Sequence, residues 1–265
     1  MKIPKQWEVG TVQSNDVDLR YYRAGKGQPI VLAHGFYESA QCRKPIIQNL
    51  AEEYEIIAYD ARGHGYSDAP KQGYDIEQRV SDLHNISTGL GLEDPILFGH
   101  SMGAVTVAWS AAHHPELPKG VVLEDPVGLV QSETPSISPE ERVAAVEQKL
   151  SKIDEQTVEQ LAADHTEYEE SVSRRIAHAN KRCSKEVAEI AREQSPPVTN
   201  ALSKIDYPVL IINSDDNPES KAKQLNAVEE FKHTRLVHIP EAGHAVFRGE
   251  FEAAYSELST FLHRI

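Results

Sequence analysis

The stretch Gly99-His100-Ser101-Met102-Gly103 constrains this chain more than any other, because the apolar residues 95–98 run into it and the helix-compatible residues 104–112 leave it. A strand must therefore turn into a helix within a few residues, with a serine at the apex. Such a turn strains the backbone at the serine and crowds its neighbours. The positions two before and two after must be nearly free of side chain, which Gly99 and Gly103 provide. The pattern G-x-S-x-G by itself recurs by chance, and its strand and helix flanks give it meaning.

A serine held out in this way attacks only if a base takes its proton and a third group orients that base. Near the C-terminus the strand-like residues 235–239 lead into Pro240, Glu241, Ala242, Gly243 and His244, and a helical segment follows over about 247–262. The turn leaves His244 at the carboxyl end of a strand, which makes it the expected base among the twelve histidines.

Two strand ends offer the orienting acid. Residues 208–212 are a continuous apolar, β-branched run of the kind buried in a parallel sheet, and they empty into Asn213, Ser214, Asp215 and Asp216. Residues 121–123 do the same into Glu124 and Asp125. These latter carboxylates also suit an anchoring role, accepting backbone N–H groups of the next turn.

Attack on a carbonyl also creates an oxyanion, and each backbone donor aimed at it is worth about 3 kcal/mol. The N–H of Met102, at a helix N-terminus, is one candidate. The other is Phe36, in the loop after residues 30–33, where Gly35 allows the backbone to turn inward. The ring of Phe36 or of Tyr37 would line the acyl pocket, with His34 as a further pocket residue.

With these motifs in hand, the chain resembles the α/β-hydrolase-fold superfamily over almost its whole length. The loop at His34, Gly35 and Phe36, the segment 60–67 after strand 56–59, the turn at Ser101, the Asp216 strand end, and Gly243-His244 match in order and spacing. The resemblance implies a fold and a machinery rather than a substrate. It implies Asp216 as the acid, because two residues usually separate the strand's last small residue, here Asn213, from that carboxylate. A minority of relatives place the acid one strand earlier, which keeps Glu124 and Asp125 open beside Asp215. Asp60, Arg62 and His64 read as a tight, hydrogen-bonded structural turn supported by Gly63 and Gly65.

Elsewhere the chain alternates strands and helices after an N-terminal hairpin around 8–13 and 17–24. That alternation predicts an α/β fold: a mostly parallel sheet of about eight strands with helices on both faces and a site at the strands' carboxyl ends. Residues 128–197 break the alternation with helical pattern only. Ser138 and Pro139 form a helix start, and Val143, Val146, Leu150 and Ile153 recur at helical spacing. The expected organisation is one core domain, residues 1–127 and 198–265, with a helical cap of 128–197 roofing the pocket.

A net charge of −14 without a basic stripe argues against nucleic-acid and anionic-membrane partners. A basic start without an apolar h-region, and no 18-residue apolar run, predict a cytoplasmic protein. Cys42 and Cys183 form no disulfide or metal motif, and no dinucleotide or P-loop pattern occurs, so no cofactor and no metal are expected. Monomer and homodimer stay open.

The reading is a serine hydrolase acting on a small or medium carboxylic ester or lactone through an acyl-enzyme, with Ser101, His244 and Asp216 as triad. Haloalkane dehalogenase and epoxide hydrolase chemistry would require an aspartate where Ser101 stands. Carbon–carbon bond hydrolysis, perhydrolysis and lyase chemistry use the same triad. The alternative of another class is a small-molecule receptor with little turnover.

Overall fold

A computed structural model describes residues 3–130, 137–215 and 217–265. The chain opens with the hairpin β1 (Glu8–Ser14) and β2 (Val17–Ala24), followed by β3 (Pro29–Ala33) and a 3₁₀ turn, Ala40–Arg43, that leads into α1 (Lys44–Leu50). Next come β4 (Glu55–Tyr59), α2 (Ile76–Gly89), β5 (Ile96–His100), α3 (Met102–His113) and β6 (Gly120–Glu124). A helical run follows: α4 (Pro139–Glu155), α5 (Val158–Ala163), α6 (Glu170–Lys181), a 3₁₀ stretch Lys185–Arg192, and α7 (Val198–Leu202). The chain closes with β7 (Val209–Ser214), α8 (Pro218–Val228), β8 (Thr234–Ile239), α9 (Val246–Gly249) and α10 (Phe251–Leu262).

The strands form one eight-stranded sheet in the order β1-β2-β4-β3-β5-β6-β7-β8. Only β1–β2 and β2–β4 are antiparallel; every other pair is parallel. The central strands are buried on both faces, β5 and β6 along their whole length, which is why they read as unbroken apolar runs rather than as alternating ones. Two apolar clusters cover the faces. One packs Leu83 and Ile86 of α2 and Val105 and Ala108 of α3 onto Val31, Leu97 and Leu123. The other packs Ile46 and Leu50 of α1 and Leu258 and Phe261 of α10 onto Leu32, Phe98 and Val122. Each buried Leu, Ile or Val side chain contributes about 1.5–3 kcal/mol.

Local chemistry sets the helix boundaries. Asp75 caps α2 by accepting from the Gln78 N–H at 2.9 Å. At α4, Ser138 Oγ accepts from the Glu141 N–H at 3.2 Å, while the Glu141 carboxylate accepts from the Ser138 N–H at 2.8 Å, with Pro139 opening the helix. The single helix expected over 247–262 is instead two, α9 and α10. Gly249 lies so close to Ala242 that a Cβ there would meet its carbonyl oxygen at 2.0 Å, and Glu250 leaves helical geometry at φ −126°.

The helices between β6 and β7 dock on the core at defined points. Leu150 and Val187 bury against Tyr74, from the loop before α2. Asn180 Nδ2 donates to the Tyr37 carbonyl at 2.8 Å, and the Ser184 N–H donates to the Gly63 carbonyl at 2.8 Å.

Candidate active site

Strand β5 delivers Ser101 into a strained backbone conformation, φ 52° and ψ −114°, from which α3 starts at the next residue. The two flanking glycines are required by close approach. A Cβ on Gly99 would sit 2.3 Å from the Gly103 carbonyl oxygen, and one on Gly103 would sit 2.3 Å from the Ala33 carbonyl oxygen. Both obstacles are backbone, so neither can move aside.

Beyond β8, His244 brings its imidazole across the strand ends. Its Nε2 lies 2.9 Å from Ser101 Oγ, and its Nδ1 lies 2.6 Å from Asp125 Oδ2. The carboxylate can only accept, so Nδ1 carries the proton and Nε2 presents its lone pair to the serine hydroxyl. Ser101 is buried, whereas the His244 ring opens to the cleft, its side chain 57% exposed.

Among the described residues the carboxylate on His244 is Asp125, one of the alternative acids read from the sequence, directly after β6 and itself at φ 41°. Asp216 lies outside the described residues. Asp215 is held by Lys221 Nζ at 2.6 Å. Glu124, fully buried, does anchoring work: it pairs with Arg43 and accepts from the Phe247 N–H at 3.1 Å, tying β6 to the turn after His244.

Of the two residues expected to supply oxyanion donors, Met102 directly follows Ser101 and Phe36 lines the same cleft. Met102 opens α3, where a first-turn N–H has no partner inside the helix. Phe36 sits between Gly35, whose N–H donates to Glu38 Oε2 at 3.0 Å, and Tyr37, a non-glycine residue at φ 61°. The Asn180 bond to the Tyr37 carbonyl holds that loop from the inserted helices.

A cleft of about 230 Å³ opens over Ser101 and His244. Phe36, Glu38, His100 and Arg248 line its core side, and His165, Glu167 and Tyr168, between α5 and α6, line the other. His34 and Tyr37 do not line it, contrary to expectation. His34 is buried; its Nδ1 donates to the Gly35 carbonyl at 2.7 Å and its Nε2 accepts from the Ala61 N–H at 3.0 Å, so it braces the loop from behind. Burial holds its basicity below the ordinary imidazole value. Tyr37 packs instead beneath the inserted helices, with Lys149 Nζ 4.0 Å from its ring centroid.

Asp60, Arg62 and His64 also stay off the cleft. Asp60 accepts from the Ala40 and Tyr66 N–H groups at 2.8 and 3.0 Å, and Arg62 is bidentate on Asp82 at 2.6 and 2.7 Å. His64 donates from Nδ1 to the Arg62 carbonyl, and burial pushes its pKa down to about 3. Arg248, His165 and Tyr168 escaped sequence reasoning because a contact across the fold leaves no local pattern. Among the described residues no three His, Cys, Asp or Glu side chains are grouped to hold a metal, and no helix is long and apolar enough to cross a membrane.

A mostly parallel sheet with a serine at a strand-to-helix turn and a histidine beyond the last strand defines the α/β-hydrolase class. The family model for the alpha/beta hydrolase fold matches residues 28–250, and the chain belongs to that family. A protein of Synechocystis sp. named as a non-heme chloroperoxidase is 42% identical over 96 residues, 36% of this chain and 35% of that protein. The (E)-2-((N-methylformamido)methylene)succinate hydrolase of Acinetobacter baylyi is 25% identical over 244 residues, 88% of this chain and 89% of the relative. In the solved structure of a bromoperoxidase from Bacillus anthracis, the fold superposes with a TM-score of 0.81 at 24% identity, covering 97% and 100% of the two chains. The matches to the first curated relatives span only 35% and 42% of those proteins' length.

Proposed function

We propose that this protein is a serine hydrolase that cleaves a small or medium carboxylic ester or lactone through an acyl-enzyme. The observation that carries this reading is the unbroken line from Asp125 Oδ2 through His244 to Ser101 Oγ, at 2.6 and 2.9 Å. Ser101 Oγ attacks the carbonyl as His244 Nε2 takes its proton, and Asp125 stabilises the imidazolium. The N–H groups of Phe36 and Met102 receive the oxyanion. His244 then protonates the leaving alcohol, and a water deprotonated by the same nitrogen releases the acid and restores Ser101. The helices over residues 128–197 serve as a cap, supplying His165 and Tyr168 to the cleft and so shaping what enters it.

The test is turnover of 4-nitrophenyl esters of graded acyl length, with a set of lactones, by the wild type and by Ser101→Ala. Hydrolysis that vanishes in a folded Ser101→Ala supports the reading, and the preferred chain length sizes the cleft. Retained turnover in that variant sinks it.

The Synechocystis relative named as a non-heme chloroperoxidase favours a second reading of the same acyl-enzyme, attack by hydrogen peroxide in place of water. Peroxy acid formed from an ester and hydrogen peroxide, and lost in Ser101→Ala, would establish it.

A further inference from the structure

Arg248 lies four residues after His244, on α9, and lines the same cleft as Ser101. A guanidinium at this place must be explained, because its side chain is only 13% exposed and its Nε makes no hydrogen bond among the described residues. Burial lowers its pKa to about 10, which still leaves it charged at neutral pH. Among the described residues its one anionic contact is Glu38, and Glu38 has other obligations.

Counting protons around Glu38 decides whether that charge is matched. The carboxylate accepts from the Gly35 N–H at 3.0 Å and faces His100 Nδ1 at 3.1 Å. The other ring nitrogen of His100, Nε2, lies 3.1 Å from the His244 carbonyl oxygen. A carbonyl only accepts, so Nε2 bears a hydrogen. The Nδ1 contact with Glu38 is then attractive only if a second proton lies between them, on the ring or on the carboxyl. On the ring, the trio is carboxylate, imidazolium and guanidinium; on the carboxyl, it is acid, neutral imidazole and guanidinium. Both sums are one net positive charge. Asp125 also acts on His100, but its carboxylate is taken up by His244 at 2.6 Å, so among the described residues no further carboxylate contacts the trio. A buried charge left so is costly, and a site that keeps one open to a cleft is built to receive the opposite charge.

We propose that Arg248 is a substrate-recognition residue that receives a carboxylate belonging to the substrate itself, so that the bond presented to Ser101 is an ester or lactone of an acidic compound, such as a half-ester of a dicarboxylic acid. The proposal rests on Ser101 as the nucleophile. The planar guanidinium fork matches a carboxylate in two parallel hydrogen bonds, which fixes the orientation of the substrate as well as its charge. Tyr168, with its ring centroid 5.9 Å from the Arg248 guanidinium carbon, closes the same end of the cleft. Glu167 also faces the cleft, but its side chain is 56% exposed, and solvent screens it far more than the buried trio.

The experiment compares mono-4-nitrophenyl glutarate and adipate with the same esters whose free carboxylate is capped as a methyl ester. The expected wild-type kcat/KM favours the free acids by about tenfold or more, the range of one charge-assisted contact. In Arg248→Gln that ratio falls toward one, and Arg248→Lys, which keeps the charge and loses the fork, is intermediate. Equal or better use of the capped esters by the wild type overturns the proposal, as does a preference that survives in a folded Arg248→Gln. Calorimetry with glutarate and dimethyl glutarate on Ser101→Ala gives a second readout that needs neither turnover nor the Arg248 variants. Tighter binding of glutarate by about tenfold supports the carboxylate site, and indifference between the two ligands overturns it. Failure of the nucleophile reading looks different: Ser101→Ala would then still hydrolyse the esters, whatever their charge preference.

Discussion

His244 and Asp125 meet at 2.6 Å across 119 residues of sequence, joining the turn after the last strand to the end of β6. This contact fixes which imidazole nitrogen presents a lone pair to Ser101 Oγ, 2.9 Å away. The expected result for Asp125→Asn is a fall in kcat of about 10³ to 10⁴, because an amide in that place admits the wrong tautomer of His244. Asp215→Asn, whose carboxylate already belongs to Lys221, should stay within a few-fold of the wild type. Steady-state kinetics on a 4-nitrophenyl ester, run on these two and on Asp216→Asn, checks the assignment. A larger loss in Asp216→Asn than in Asp125→Asn would return the acid to β7.

Glu124, one residue before Asp125, should behave in the opposite way. Its carboxylate is shared between Arg43 and the Phe247 N–H inside the core, and Arg43 is as buried as its partner. Glu124→Gln leaves an uncompensated buried guanidinium and is expected to cost about 3–5 kcal/mol of stability. Urea unfolding measures it. A Glu124→Gln protein as stable as the wild type but without turnover would make Glu124 part of the chemistry.

These two neighbours show where the sequence was legible and where it was not. The turn at Ser101 could be read because its constraint is local: two glycines, a strand before and a helix after. His244 could be read for the same reason, as a residue following a strand end. The choice of acid could not, because carboxylates stand at the ends of both β6 and β7. The difference lies in which of them a distant lysine or histidine captures. Lys221, six residues beyond Asp215, was visible in the sequence, but its reach back to the strand end was not. The contribution of Arg248 was hidden in another way, since its significance comes from burial and from the proton count around Glu38, neither of which has a sequence period.

Gly103 makes the local constraint measurable. A methyl group there meets the Ala33 carbonyl oxygen at 2.3 Å and the His34 carbonyl oxygen at 2.6 Å, with no flexible atom to yield. Gly103→Ala should therefore lose more than about 3 kcal/mol or fail to accumulate as folded protein, as expected of overpacking against backbone. Gly91→Ala provides the comparison: its φ of 63° strains a side chain, yet nothing lies within 4 Å of the added carbon. Its cost should be near 1 kcal/mol, so denaturant midpoints that rank the two variants equally would contradict the packing argument.

Asn180 links the helices between β6 and β7 to the loop that carries Phe36, the proposed oxyanion donor, through the Tyr37 carbonyl at 2.8 Å. Tyr37 pays for a left-handed backbone next to Phe36, and removing the bond lets that backbone relax. Asn180→Ala is expected to lower kcat by about tenfold while shifting Tm by only a few degrees, since one hydrogen bond is worth about 1 kcal/mol. A loss confined to Tm, with kcat intact, would mean that the loop holds its shape without the helices.

The buried histidines tie folding to pH, and His64 isolates the effect. In the folded chain its pKa is pushed down to about 3 by burial, from an ordinary value of 6.5 when unfolded. Between those limits the unfolded state binds a proton that the folded state refuses, so stability present above pH 6.5 is lost as the pH falls. His34 and His100 act in the same direction, whereas Asp60, whose carboxyl is raised by burial, acts against them by binding its proton more tightly when folded. A difference measurement removes these shared contributions. The stability of the wild type minus that of His64→Gln should decline by about 1.4 kcal/mol for each pH unit between pH 6 and pH 4. Urea titrations at three pH values in this window give the slope, and a flat difference would mean that His64 gains its proton without unfolding the protein.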